Sequence, residues 1–202
     1  MKLKPLIPKS EARKMAVKRR SELSPAEIKT KTNYIIERLL KLDEFIHAKT
    51  VFIYLASRSG EVDTRKLIDN MEGWGKTIII PKLSKSIKKF KRSNFMGWDH
   101  IVKNNEGYYE PIVGIDEELT DIDLFIVPAL AISVLGQRVG YGGGYYDSML
   151  KNIRAPKIAL AFEFQVFENI ETDIHDVRID RIITERRIIN SREPQKRALE
   201  LL

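Results

Sequence analysis

The segment from Leu124 to Asp147, LFIVPALAISVLGQRVGYGGGYYD, decides how the chain is read. Its first four residues, Leu124 to Val127, are apolar without interruption. A run with no polar alternation marks a strand covered on both faces, as in a parallel sheet with helices on either side. Glycines follow. Five of the chain's 11 glycines (Gly136, Gly140, Gly142, Gly143 and Gly144) fall within nine residues. Ordering glycine costs more backbone entropy than ordering other residues, so the cluster points to a backbone that must approach something closely. Successive N–H groups can form an anion nest, and a helix start after them adds a favourable dipole. Arg138 offers a planar, permanently charged fork for phosphate oxygens. Asp147 is an oxygen donor able to hold magnesium, or to sit as an acid in the first turn of a helix. The segment is not a Walker loop, since no GK[ST] follows, and it lacks the Rossmann spacing. A surface loop with purely conformational glycines is the alternative.

Outward from this segment, strands and helices alternate. A basic helix is predicted over 9–20, packing a thin stripe of Ala12, Met15, Ala16 and Val17. Ser24-Pro25-Ala26-Glu27 reads as a capping box with proline at the first helical position, opening a helix to about Leu42. Strands are predicted at Val51 to Leu55, at Thr77 to Ile80 (stopped by Pro81), at Lys157 to Ala161 and at Ile182-Ile183. Helices are predicted from Asp63-Thr64 to about Met71 and from Tyr145 to Leu150, and residues 82–110 read as short strands and loops. The whole chain, 1–202, reads as one α/β domain, a mostly parallel central sheet flanked by helices on both faces. Ligands of such sheets sit beyond the carboxyl ends of the strands, which places loops 56–62, 128–144 and 162–176 on one rim.

Composition narrows the function classes. The 202 residues are 43% apolar and 31% charged, enough for one well-filled core and unlike a disordered chain. Cysteine is absent, which excludes disulfide scaffolds, Cys-rich zinc sites, iron–sulfur ligation and a thiol nucleophile, and fits a reducing compartment. The longest apolar runs fall well short of the roughly 20 residues needed to cross a bilayer, and no cleavage-type segment follows the basic N-terminal residues. The expectation is a cytoplasmic protein with no membrane partner. The net charge is +7, and the first 20 residues, with Glu11 as their one acid, carry all of it. A second basic tract, Lys82 to Arg92, contains no acid. Both tracts read either as solvated faces or as anion sites.

The segment GQRVGYGGGYYD, residues 136–147, resembles the signature G-x-R-x-G-x-G-x-G-Y-Y-D of the 5-formyltetrahydrofolate cyclo-ligases, also called 5,10-methenyltetrahydrofolate synthetases. The likeness extends in order along nearly the whole chain. Lys9 and Arg13 match a Lys and Arg four apart on a basic first helix. Glu61-Val62-Asp63-Thr64, Glu110-Pro111, Val127-Pro128, Leu160 to Gln165 and His175-Asp176 match later elements. The chain departs from the pattern at Ile132-Ser133, where the family has Phe-Asp, at Ser148 in place of an Arg, and around Thr172 in place of a proline. The lost carboxylate at Ser133 bears on a loop anchor or on a contact near the metal.

The resemblance implies ATP as co-substrate, Mg2+, and 5-formyltetrahydrofolate, in cells polyglutamylated, as substrate. Lys9 and Arg13 would contact the ATP phosphates. Arg138 and the backbone of Gly140, Tyr141, Gly142, Gly143, Gly144, Tyr145 and Tyr146 would cradle them. Asp147 and Asp176 would hold magnesium. Glu61 would bind the pterin, with Ala56 and Trp98 as pocket wall and Tyr146 between the two ligands. Arg138, Lys9 and Tyr146 are the expected catalytic residues. The implied chemistry phosphorylates the formyl oxygen, closes N10 onto the activated carbon and expels phosphate. It needs positioning and charge rather than a protein nucleophile. The basic tract, through Lys88 and Lys89, is expected to draw a glutamate tail. A monomer is expected, with a dimer left open, and no nucleic-acid partner. Three rivals remain: another ATP or sugar-phosphate enzyme on a similar fold, a non-enzymatic nucleic-acid binding module, and a relative that has lost its chemistry.

Overall fold

The computed structural model describes residues 6–84, 89–113 and 121–192. Residues 85–88 of the second basic tract, and the tail from 193 on, lie outside the described residues. Three helices come first, α1 (Lys9–Ser21), α2 (Pro25–Leu39) and α3 (Asp43–His47), followed by β1 (Thr50–Ile53), α4 (Arg65–Gly73), β2 (Thr77–Ser84) and β3 (Lys89–Asn94). A hairpin, β4 (Ile101–Lys103) and β5 (Tyr109–Pro111), precedes β6 (Leu124–Pro128), β7 (Ala131–Ser133) and β8 (Arg138–Val139). The chain ends with α5 (Tyr145–Leu150), β9 (Lys157–Leu160), β10 (Val166–Phe167), β11 (Arg181–Ile183) and β12 (Ile188–Asn190).

The apolar run 124–127 forms the middle of a seven-stranded sheet of order β12-β11-β9-β6-β1-β2-β3. Leu124, Phe125, Ile126 and Val127 are all fully buried. The sheet is mixed rather than simply parallel. The five inner strands run parallel, and both edges carry an antiparallel strand, β3 beside β2 and β12 beside β11. Alternate residues divide the core, because successive side chains point to opposite faces. Ile53, Ile80, Ile126 and Leu160 face α2, α3 and α4. Phe52, Phe125, Val127 and Ala159 face Leu150 of α5 and Ile132 of β7. Phe52 and Phe125 are register partners whose rings stack at 5.2 Å.

The capping box at α2 is present. Ser24 Oγ accepts from the Glu27 N–H at 3.3 Å, and Glu27 Oε2 accepts from the Ser24 N–H at 2.9 Å. The helix stops at Leu39 rather than Leu42. Leu42 is already extended, with ψ at 132°, and the turn buries Leu42 and Phe45 against the core. Pro81 does not stop β2. It pairs with Arg92 on the β3 side, whereas β1 pairs β2 only at Thr77, Ile78 and Ile79, so the missing N–H breaks no ladder bond to β1.

The loop expected between β6 and α5 is itself partly strand. β7 and β8 form an antiparallel pair, joined by β10 in a small three-stranded sheet. Helix α1 packs on this second sheet through Ala12 and Ala16, both fully buried, near Leu130, Ala131 and Val139. Met15 and Val17, expected in the same stripe, are about half exposed because they lie off that face. Among the described residues, no helix is long and apolar enough to cross a membrane.

Phe125 is the structural centre of one core. Phe125→Ala should cost about 3–5 kcal/mol in urea unfolding, and Phe125→Leu clearly less, because the leucine refills most of the cavity.

Candidate active site

A cavity of about 480 Å³ opens at the carboxyl ends of β1 and β6, where the sheet topology calls for it. Helix α1, the loop after β1, strands β2 and β3, the β4–β5 hairpin, the segment 128–147 and the 173–176 turn build it. The loop after β1 contributes Glu61, about one-tenth exposed. Glu61 Oε2 accepts from the N–H groups of Ser57 at 2.9 Å and Arg58 at 3.0 Å. These bonds fix the carboxylate in its own loop and leave Oε1 accepting no hydrogen bond among the described residues.

The glycine segment forms another wall. Its five glycines have different jobs. Gly136 is structural: at φ +79° it ends the β7 turn, and a Cβ there would lie 2.3 Å from the Ile179 carbonyl oxygen. A Cβ at Gly143 would lie 2.4 Å from the Tyr145 ring, and one at Gly140 would lie 3.0 Å from an Arg138 nitrogen. Gly142 and Gly144 hold φ of +106° and +66°. The N–H groups of Gly142, Gly143 and Gly144 meet no acceptor among the described residues. Helix α5, which follows this segment, spans only six residues.

Cations and carboxylates interleave in the cavity. Arg138 lies in β8, not in a loop, and is 5% exposed. Its Nη2 bonds Asp147 Oδ2 at 2.8 Å, and its buried Nε has no partner among the described residues. Lys9 Nζ lies 2.6 Å from Asp173 and 2.5 Å from Asp176. Burial lowers the Lys9 pKa, but the hydrogen bonds to the two aspartates outweigh that and raise it above its ordinary value, so the ammonium stays charged. Arg13 Nε donates to the Gly140 carbonyl at 2.8 Å. Tyr146 lines the cavity 4.9 Å from the Phe90 ring and 5.2 Å from the Arg138 guanidinium. Burial pushes its phenol far above the usual range, against the pull of Arg138, so it is a neutral donor and not a base.

Lys9, Arg13, Glu61, Arg138, Tyr146, Asp147 and Asp176, with residues 140–145, all line the cavity. Ala56 does not, although its neighbours Leu55 and Ser57 do. Trp98 is also absent from the lining. Its indole N–H donates to Asp69 at 2.6 Å, and Arg65 lies 4.4 Å over its ring. Of the second basic tract, Lys82 donates to the Ile112 carbonyl, and Lys88 is outside the described residues. The sequence reading missed Arg20, Arg58 and Phe90. Arg20 carried a signal: it follows Ala12 and Ala16 at intervals of four and so shares their buried face.

The sequence pattern of the 5-formyltetrahydrofolate cyclo-ligase family matches residues 7–185. The chain belongs to this family. The cyclo-ligase of Escherichia coli K12 is 27% identical over 176 residues, covering 84% of this chain and 96% of that protein. A probable cyclo-ligase of Schizosaccharomyces pombe is 30% identical over 173 residues, covering 78% and 85%. The solution structure of Aquifex aeolicus 5,10-methenyltetrahydrofolate synthetase superimposes with a TM-score of 0.80 at 31% identity, over 93% of this chain and 94% of that one. The Mycoplasma pneumoniae synthetase, 23% identical, shares the fold with a TM-score of 0.69, over 88% of this chain and 98% of that one.

Against that cyclo-ligase pattern, the departure at Ser133 is compensated locally. Ser133 Oγ donates to Gln137 Oε1 at 2.6 Å and accepts from the N–H groups of Leu135 and Gln137, so the turn before Arg138 keeps an anchor. Ser133 is fully buried on the side of the turn, and it is not among the residues lining the cavity.

The glycines separate fold from function. Gly136→Ala should lower stability by more than the roughly 1–3 kcal/mol of a left-handed non-glycine backbone, since it also meets the Ile179 carbonyl. Gly143→Ala must displace the Tyr145 ring but meets no backbone atom and has no left-handed φ, so it should cost less stability than Gly136→Ala while weakening nucleotide binding, as read by calorimetry.

Proposed function

We propose that this cyclo-ligase family member converts 5-formyltetrahydrofolate to 5,10-methenyltetrahydrofolate, using ATP and releasing ADP and phosphate. One observation carries the reading. A single cavity holds an anchored carboxylate, Glu61, whose Oε1 accepts no hydrogen bond among the described residues. The same cavity gathers Lys9, Arg13, Arg138, Tyr146 and three loop N–H groups that meet no acceptor among the described residues. The carboxylate suits the paired donors of a pterin edge. The cations and N–H groups suit phosphates.

Each group has a role in this reaction. An amide oxygen is a weak nucleophile, so the formyl oxygen must be held in line with the γ-phosphorus. Glu61 orients the pterin, and Tyr146, as a neutral donor, lines the junction. Arg138 and Lys9 stabilise the charge spread over the transferring phosphoryl oxygens. Arg13 pins the glycine loop through the Gly140 carbonyl and turns its remaining N–H groups to the nucleotide. N10 then attacks the activated carbon, and the phosphate leaves with the former formyl oxygen.

Among the described residues there is no cluster of three or more metal-ligating side chains. Asp147 and Asp176 nevertheless fit magnesium that arrives on phosphates, because this ion keeps waters and needs only one or two protein carboxylates. When bound, it would neutralise phosphate charge.

Purified protein with 5-formyltetrahydrofolate, ATP and magnesium should show growth of the near-ultraviolet absorbance of the methenyl product. That growth should be absent without ATP. Glu61→Ala should raise the folate KM about 10- to 100-fold, the loss expected for a charged hydrogen bond. Arg138→Ala should lower kcat about 10²-fold or more. Hydrolysis of ATP independent of folate would favour a different phosphate enzyme on this fold.

A further inference from the structure

We propose that Arg20 is a positioning residue that couples the Glu61 loop to the glycine loop, so that each ligand tightens the seat of the other. The inference rests on the reading above, in which the first loop meets the pterin and the second meets the nucleotide.

Arg20 ends the buried face of α1 and is 6% exposed, an unusual place for a permanent charge. Its Nη2 donates to the Ala129 carbonyl at 2.8 Å, immediately after β6. Its Nη1 donates to the Tyr141 hydroxyl at 2.9 Å, in the glycine loop. The same Nη1 lies 3.9 Å from Glu61 Oε1. One planar, rigid group therefore touches three segments far apart in the chain. The β1 loop is set directly on its stem: a Cβ at Gly60 would lie 2.8 Å from Arg20 Cβ.

A second path closes the ring. The Arg58 N–H donates to Glu61 Oε2 at 3.0 Å, and the Arg58 guanidinium lies 5.4 Å from the Tyr141 ring centre. Glu61, Arg58, Tyr141 and Arg20 thus form a closed circuit, of which Glu61 and Tyr141 line the cavity, while Arg58 also lies 4.1 Å over the Tyr108 ring. Tyr141 is half exposed, and burial pushes its phenol up against the pull of Arg20, so the hydroxyl stays neutral and accepts from Nη1. Nη1 is shared. It cannot approach Glu61 without drawing Tyr141 with it or releasing it. A ligand that fixes Glu61 thereby fixes the guanidinium, and through it the ring of Tyr141. A residue that served folding alone would set the melting temperature and leave this dependence untouched.

The test is titration of 5-formyltetrahydrofolate into wild type, Tyr141→Phe and Arg20→Lys, with and without saturating magnesium and ADP, a mixture that cannot turn over. Wild type should bind folate on the order of 5-fold more tightly with ADP present, the lower end of ordinary coupling. In both variants the ratio should fall towards one. Tyr141→Phe removes only an oxygen at a half-exposed position and leaves Arg20 its bond to the Ala129 carbonyl, so it should fold with a modest drop in melting temperature, and it carries the test if Arg20→Lys does not fold. A wild-type ratio of one, or a ratio in Tyr141→Phe equal to that of wild type, overturns the inference while the proposed reaction stands. If wild type binds neither ligand, the reading of the site falls, and the inference falls with it.

Discussion

A cation taken out of water must be given oxygen, and the site is arranged by how its buried arginines and the partly buried Lys9 obtain theirs. Desolvating a charged group costs several kcal/mol even after relaxation, so an unpaired arginine would not stay buried. Arg138 takes Asp147, Arg20 takes a carbonyl and a phenol beside Glu61, and Lys9 takes two aspartates. Each pairing ties two separate elements or segments together. Arg138 fastens β8 to α5, Lys9 fastens α1 to the 173–176 turn, and Arg20 fastens α1 to the ends of β1 and β6. The exposed pair of Lys41 and Glu37 elsewhere on the surface holds nothing comparable in place.

The lining of the ligand-free cavity sets three cations, Lys9, Arg13 and Arg138, among six carboxylates. Phosphates entering it meet cations already held by carboxylates, and on the proposed reading the partners are exchanged. Lys9 and Arg138 turn to phosphate oxygens, while Asp147 and Asp176 become available to the metal that accompanies them. Nucleotide without magnesium would leave these carboxylates facing phosphate, a like-charge contact that disfavours binding. The sheet supplies the rigidity this needs. Phe52 and Phe125 lock β1 to β6, and the loops carrying Glu61 and Ala129 leave from those two strands.

The centre of the fold was legible because burial on both faces leaves a composition trace, the unbroken run at 124–127. The Ser24 capping box and the helix at 145–150 were legible for the same reason, as local chemistry written in adjacent residues. The small sheet was not. β7, β8 and β10 are two or three residues each, too short for periodicity to show, and β10 pairs with β7 only after a long excursion. Pro81 misled because a proline stops a strand only where its N–H is needed. The site residues were legible through the family motif, which marks positions and not contacts. It did not reveal that Trp98 turns to Asp69, or that Arg20 lies underneath the motif. Arg20 was counted as surface charge, and only its spacing from Ala16 marked it as buried.

The central claim is that the formyl oxygen itself receives the phosphoryl group. It is tested most directly by a single turnover of wild type with 5-formyltetrahydrofolate carrying 18O in the formyl group, with the released phosphate read by 31P NMR. The account predicts that the label appears in inorganic phosphate as one 18O per molecule formed. Unlabelled phosphate, formed while the methenyl product accumulates, would contradict it.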